Sequence, residues 1–269
     1  MVYSNGDIME LKDKVVFITG ATGGMGKELA RQFAKEQCKL ALFARREEKL
    51  KAICKELNTV TKCVYKTCDV TKTKDIAEAV QFTKKTYGCI DIALLTARVL
   101  VPNPIETFSA DQIKQSIDIN FIGDLYFIDH LFQVMKKQKS GTIAAVSTLP
   151  DKRGVPGWGA YGASKAALSW MLESLRAEAK QKYNINMITI KPGSVETPMI
   201  KDFPRRGAIH PKQAASLIIQ GVKKEKKIIQ FPLMQVLLVR MSDLFPNFVY
   251  DSIPLDLQKG DGYPEVKEK

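Results

Sequence analysis

The sequence predicts an α/β chain with a single doubly wound parallel sheet and helices on both faces. Three observations predict it. Short apolar runs rich in β-branched residues, such as Lys14-Val15-Val16-Phe17-Ile18, lack alternation and read as strands covered on both sides. Stretches with apolar residues at helical spacing, such as Glu28-Leu29-Ala30-Arg31-Gln32-Phe33-Ala34, alternate with these runs along the chain. A glycine-rich turn, Thr19-Gly20-Ala21-Thr22-Gly23-Gly24-Met25-Gly26, joins the first run to the first helix.

Taken in order, strands are expected over 14–19, 39–44, 62–67, 90–95, 141–147, 185–190 and 227–231. Helices are expected over 24–36, 46–57, 74–86, 109–137, 158–182, 211–223 and 233–244. Ser109 followed by Gln112 has the spacing of a capping box and marks the start of the fourth helix. The last helix is apolar nearly all round, since between Leu233 and Met241 only Gln235 and Arg240 are polar. Such a helix is buried in the core or a dimer interface, or it lies on a membrane surface through 233–250. The stretch 259–269 is charged and reads as a solvated tail. A chain of 269 residues without internal repeats or linkers fits one domain spanning 1–269.

Composition narrows the class. Apolar residues make up 45%, enough for a substantial core. The five cysteines (38, 54, 63, 68 and 89) have no metal-ligand or disulfide spacing, and His130 and His210 stand alone, so no metal site is expected. A reducing, cytoplasmic setting fits this usage, with surface association at a membrane as the variant that the last helix suggests. The first 14 residues carry no signal-peptide core, and no run approaches the ~20 apolar residues of a membrane span. The net charge of +12 suits an anionic ligand or surface. Its lysines are scattered rather than interleaved with aromatics, which argues against nucleic acid.

Glycines between a strand and a helix let backbone approach a pyrophosphate, which the helix N-terminus then attracts. Here they fall at 20, 24 and 26, wider than the common Gly-x-Gly-x-x-Gly spacing. Tyr161 and Lys165 stand four residues apart after a strand and a Gly/Pro-rich loop, so they share one helix face. A free phenol ionises near ~10, and a cation one turn away favours its phenolate form. Tyr263 and Lys267 repeat the spacing, but in a charged tail with Pro264 between them and no preceding strand. At the end of the second strand, Ala44-Arg45-Arg46 lacks the carboxylate that would bind a free ribose 2′-hydroxyl, and its arginines suit a 2′-phosphate. That pattern points to NADP(H).

Together these motifs resemble the short-chain dehydrogenase/reductase family over roughly residues 10–232. The resemblance rests on Thr19-Gly20-x-x-x-Gly24-x-Gly26, Asp69-Val70, Asn120, Tyr161-x-x-x-Lys165 and Pro192-Gly193 in the family's order. It implies a Rossmann-type fold and an oxidoreductase that transfers a hydride between nicotinamide and a carbonyl or alcohol carbon. It also implies that Tyr161 donates the proton, that Lys165 holds the nicotinamide ribose, and that Asn120 supports a proton relay. The dinucleotide then contacts Gly20, Thr22, Gly23, Gly24, Met25 and Gly26, with Arg45 and Arg46 at its phosphate end. Further along it contacts Asp69, Val70, Ala97, Pro192, Gly193, Val195 and Thr197, besides Tyr161 and Lys165. The family's substrate-binding serine stands thirteen residues before the tyrosine; here that position is Thr148, with Ser147 next to it.

A second departure lies after the fourth strand, where Leu95-Thr96-Ala97-Arg98 replaces the common Asn-Asn-Ala-Gly. The segment between Pro192-Gly193 and Pro211, with Phe203, Arg205 and Arg206, is short for a substrate lid and suggests an open pocket for a bulky or extended molecule. The expected partners are a hydrophobic carbonyl or alcohol substrate, steroid-like or long-chain, and further copies of the chain in a homodimer or homotetramer. The rival reading keeps the fold and the dinucleotide but does little chemistry, as a regulatory protein.

Overall fold

Seven strands pair in parallel in the computed structural model, which describes residues 8–200 and 207–253. They are β1 (Val15–Thr19), β2 (Lys39–Ala44), β3 (Cys63–Thr67), β4 (Ile92–Leu95), β5 (Gly141–Val146), β6 (Ile185–Pro192) and β7 (Ile228–Phe231). Their order is β3-β2-β1-β4-β5-β6-β7. The order reverses between β1 and β4, where Val16 pairs with Ile92 and Ile18 with Leu94. Ligands of open parallel sheets bind at such a switch point, beyond the carboxyl ends of the strands.

Alternation along each strand divides the core in two. Val16 and Ile18 of β1, Leu40 and Leu42 of β2, and Ile92 and Leu94 of β4 face one layer. That layer contains α1 (Gly24–Lys35), α2 (Glu47–Leu57) and α7 (Pro211–Lys223). Phe17, Ala41, Phe43, Ala93 and Leu95 face the other, under α3 (Thr73–Tyr87), α5 (Gly123–Gln138) and α6 (Gly159–Tyr183). Both faces being covered is why these strands read as unbroken apolar runs. At 25 cal/mol per Å² or so, an apolar core on each face is the main source of stability.

The expected strands and helices fall within a few residues of those observed, with two differences. The stretch read as one helix over 109–137 is three pieces: α4 (Ala110–Ile117), a π-helical turn (Asp118–Ile122) and α5. Ser109 caps α4 by accepting a hydrogen bond from the Gln112 amide. The second difference is at the C-terminal end. Helix α8 (Leu233–Ser242) has no buried residue, which rules out the core-buried reading, and a further short helix, α9 (Asn247–Asp251), follows it. Met234 is 69% exposed and Leu244 82%. Burial in the core would need a second apolar layer over α8, and the sheet's two faces are already filled by other helices. No described helix is long and apolar enough to cross a membrane. The expected tail at 259–269, the second Tyr/Lys pair, and Phe203, Arg205 and Arg206 lie outside the described residues.

Candidate active site

The carboxyl ends of β1, β2 and β4 open onto a cavity of about 480 Å³. Its floor is the turn from β1 into α1. Gly20 holds φ at +64°, and a Cβ there would sit 2.8 Å from the backbone nitrogen of Ala97, so only glycine fits. Thr19 Oγ1 accepts hydrogen bonds from Thr96 and Ala97 amides, and Thr96 Oγ1 donates to the Thr19 carbonyl. Thr96 thereby ties β4 to β1 across the switch point. At the N-terminus of α1 the Gly23 cap makes no side-chain hydrogen bond and the first turn holds no acidic residue. Those free amides and the helix dipole suit a phosphate group. The residues present suit a dinucleotide, whose pyrophosphate the glycine turn and the N-terminus of α1 would hold.

Of the residues expected to contact a dinucleotide, Gly20, Thr22, Gly23, Gly24, Met25, Gly26, Arg45, Arg46, Asp69, Val70, Ala97 and Thr197 line this cavity. Arg46 donates to both the Thr22 hydroxyl and the Thr22 carbonyl, closing the rim between β2 and the glycine turn. Neither Arg45 nor Arg46 pairs with Glu47 or Glu48 among the described residues. Lys49, in the first turn of α2, adds a third cation that the sequence reading missed. Asp69 accepts from the Thr71 amide and hydroxyl. Partial burial pushes its carboxyl up, but these bonds and nearby Arg45 outweigh it and hold the group below its ordinary value.

A second cavity, of about 380 Å³, opens beside the first. Tyr161, from the first turn of α6, and Thr148, from the loop after β5, both line it. So do Pro192, Gly193 and Val195 at and after the end of β6. Much of the rest is apolar: Leu100, Leu149, Pro150, Val155, Trp158, Leu238 and Val239. Trp158, at the start of the helix expected over 158–182, carries no motif in the sequence. The α8 residues were equally hidden, since only the fold brings 235–239 to a loop at 192–195.

Ser147 lies elsewhere. Its hydroxyl donates to the Lys165 carbonyl and bonds the Ser169 hydroxyl at 2.7 Å, all within the core. These core bonds hold it away from the cavity that Thr148 lines.

Lys165 and Asn120 line neither cavity. Both are buried. Lys165 Nζ donates to the Asn120 carbonyl at 2.9 Å and lies 3.6 Å from Asp124 Oδ2. The Asn120 side chain bonds the Val99 amide and carbonyl and the hydroxyls of Ser116 and Ser164. The π turn that contains Asn120 interrupts the helix at this point, as such turns often do at functional sites. Burial lowers the Lys165 ammonium well below its ordinary value, Asp124 partly restores it, and Arg98 lowers it further. The same burial raises the Asp124 carboxyl. Asp124 has no sequence motif of its own, though it stands four residues after Asn120.

Comparisons with other proteins identify the family and the fold. A sequence profile of the short chain dehydrogenases matches residues 14–206. An uncharacterized oxidoreductase of Listeria monocytogenes is 35% identical over 195 residues, covering 72% of this chain and 79% of that protein. The mouse dehydrogenase/reductase SDR family member 7C is 27% identical and covers 95% of this chain and 88% of its own. The crystal structure of levodione reductase superposes with a TM-score of 0.74 at 22% identity, over 84% of this chain and 98% of its own. With a family profile over most of its length and the sheet order of that fold, the chain belongs to the short-chain dehydrogenase/reductase family of oxidoreductases, whose members bind a nicotinamide dinucleotide.

Proposed function

We propose that the protein is an NADP(H)-dependent oxidoreductase that interconverts a ketone and an alcohol on a hydrophobic substrate. The observation that carries this reading is that Tyr161 and Thr148 line one largely apolar cavity adjoining the dinucleotide cradle. A bound nicotinamide supplies or accepts the hydride. Thr148 Oγ1 donates a hydrogen bond to the carbonyl oxygen and so stabilises the negative charge that develops there. Tyr161 delivers the proton to that oxygen from its phenol. The Lys165 ammonium offsets the charge left on the phenol oxygen, and Asn120 and Asp124 hold that ammonium in place. Leu149, Trp158 and Val239 exclude water and take up apolar substrate surface.

The choice of NADP(H) is supported by Arg45, Arg46 and Lys49 around the end of β2, where Ala44 provides no carboxylate. Exposed Trp170 on α6 and Tyr126 on α5 support assembly into a homodimer or homotetramer through that pair of helices. The outward face of α8, α9 and the turn between them, with Leu233, Met234, Leu244 and Phe248 exposed, supports peripheral contact with a membrane surface. A panel of aliphatic, steroidal and aromatic ketones, followed through NADPH absorbance, tests the activity. Turnover of hydrophobic ketones is expected, and no turnover across the panel, despite dinucleotide binding, would overturn it.

A further inference from the structure

The two cavities meet at Arg98, Thr197 and Met199, the three residues that line both. Two polar atoms at this junction are buried without a hydrogen-bond partner: Arg98 Nη1 and Thr197 Oγ1. Among the described residues no acidic side chain forms an ion pair with Arg98. A buried guanidinium nitrogen and a buried hydroxyl left unpaired are both unfavourable, so the arrangement is incomplete without an acceptor. Thr197 also sits over the N-terminus of α1, where a Cβ on Gly24 would lie 2.9 Å from Thr197 Cγ2. The Gly23 cap there makes no side-chain hydrogen bond, and the first turn of α1 is free of acidic residues. Cation, hydroxyl and helix terminus therefore converge where the two cavities join. A neutral carbonyl oxygen satisfies a donor, whereas an oxyanion also supplies the guanidinium with a countercharge.

We propose that Arg98 and Thr197 form an oxyanion subsite at the junction of the two cavities, taking a phosphate or carboxylate oxygen. The oxyanion belongs either to the pyrophosphate of the dinucleotide or to a carboxylate carried by the hydrophobic carbonyl substrate. The substrate half of this inference rests on the function proposed above. The dinucleotide half needs only the binding that family membership entails. The subsite also accounts for the departure after β4, since a long cation there takes the place of a residue with no side chain. An anion beside Arg98 shields Lys165 from a charge that otherwise disfavours its ammonium.

Fluorescence titration of NADPH and NADH into the wild-type protein, Arg98→Gln, Arg98→Lys and Thr197→Val separates the sources. If the pyrophosphate is the occupant, Arg98→Gln weakens both dinucleotides alike, by about tenfold or more, and Arg98→Lys recovers part of the loss. An equal loss for both dinucleotides distinguishes this subsite from the 2′-phosphate end, where the loss falls on NADPH alone. Thr197→Val, which keeps the shape but not the hydroxyl, moves affinity in the same direction by less. In the second arm, 2-oxodecanoic acid and its methyl ester are titrated in the presence of NADP⁺, with quenching of tryptophan fluorescence as the readout. A preference for the acid that disappears in Arg98→Gln, with dinucleotide affinity unchanged, assigns the oxyanion to the substrate. Unchanged dinucleotide affinity in all three variants, together with equal binding of acid and ester by the wild type, would overturn the proposal. Thermal melts confirm that each variant is folded, and Arg98→Lys and Thr197→Val carry the test where Arg98→Gln does not fold.

Discussion

Lys165 Nζ lies 3.6 Å from Asp124 Oδ2, and both side chains are almost wholly excluded from water. The pair links α6 to the first turn of α5. Removing one partner of a buried pair costs about 3–5 kcal/mol, so Asp124→Asn is expected to lower Tm. The pH dependence follows from the signs. Burial and Arg98 both lower the Lys165 ammonium, and Asp124 is the group that raises it. Without Asp124, Lys165 gives up its proton at lower pH, and the alkaline limb of kcat moves to lower pH. A profile identical to that of the wild type would show that Asp124 does not sustain the ammonium.

Tyr161→Phe keeps the cavity wall and removes the proton donor. Turnover is expected to fall by ~10²–10⁴-fold, the usual contribution of a positioned general acid. Dinucleotide affinity, measured by titration, should stay near that of the wild type. Turnover close to normal would take the proton-donating role away from Tyr161.

The two neighbouring hydroxyls after β5 should fail in different ways. Thr148→Val slows kcat, and Thr148→Ser restores it, because the cavity hydroxyl is what matters. Ser147→Ala instead lowers Tm, because its hydroxyl bonds the Lys165 carbonyl and Ser169 in the core. A sharp loss of kcat in Ser147→Ala at unchanged Tm would reverse these assignments.

Cofactor choice tests the cationic rim. Arg45→Ala should weaken NADPH alone, whereas Ala44→Asp should shift preference toward NADH. The expected preference of the wild type for NADPH is at least ~10-fold and shrinks as salt rises. Equal affinities for the two dinucleotides would show that Arg45, Arg46 and Lys49 serve only the surface.

The exposed face of α8 and α9 should bring the protein onto anionic vesicles in a salt-sensitive way. Replacing Met234 and Leu244, both well exposed, with serine should reduce sedimentation with vesicles and leave Tm unchanged. A concentration-dependent dimer that ignores vesicles would assign this face to a second copy of the chain.

Strands β1, β2 and β4 were legible because burial on both faces leaves an unbroken apolar run. The glycine turn and the Tyr161–Lys165 pair were legible because close approach and helical spacing restrict residue type at fixed intervals. The π turn was not, since apolar spacing continues through Asp118–Ile122 and one widened turn leaves little trace in periodicity. Asp124, Lys49 and Trp158 were missed for another reason. Each gains its place through contacts with distant segments, and sequence spacing carries no record of those. The bond from Arg46 to Thr22 spans 24 residues and is of the same kind.

Gln235 has a consequence for anyone reshaping the substrate cavity. Its Oε1 accepts from the Ser194 amide at 2.8 Å, and its Nε2 donates to the Gly207 carbonyl at 2.9 Å. A Cβ on Gly193 would overlap that Oε1 atom. The glutamine thus pins both Ser194 and Gly207 to α8, and deleting everything after Pro232 would pull the pin as well as remove the outer face. Leu238 and Val239 line the same cavity from that helix, and replacing them alters its lining while the pin stays in place.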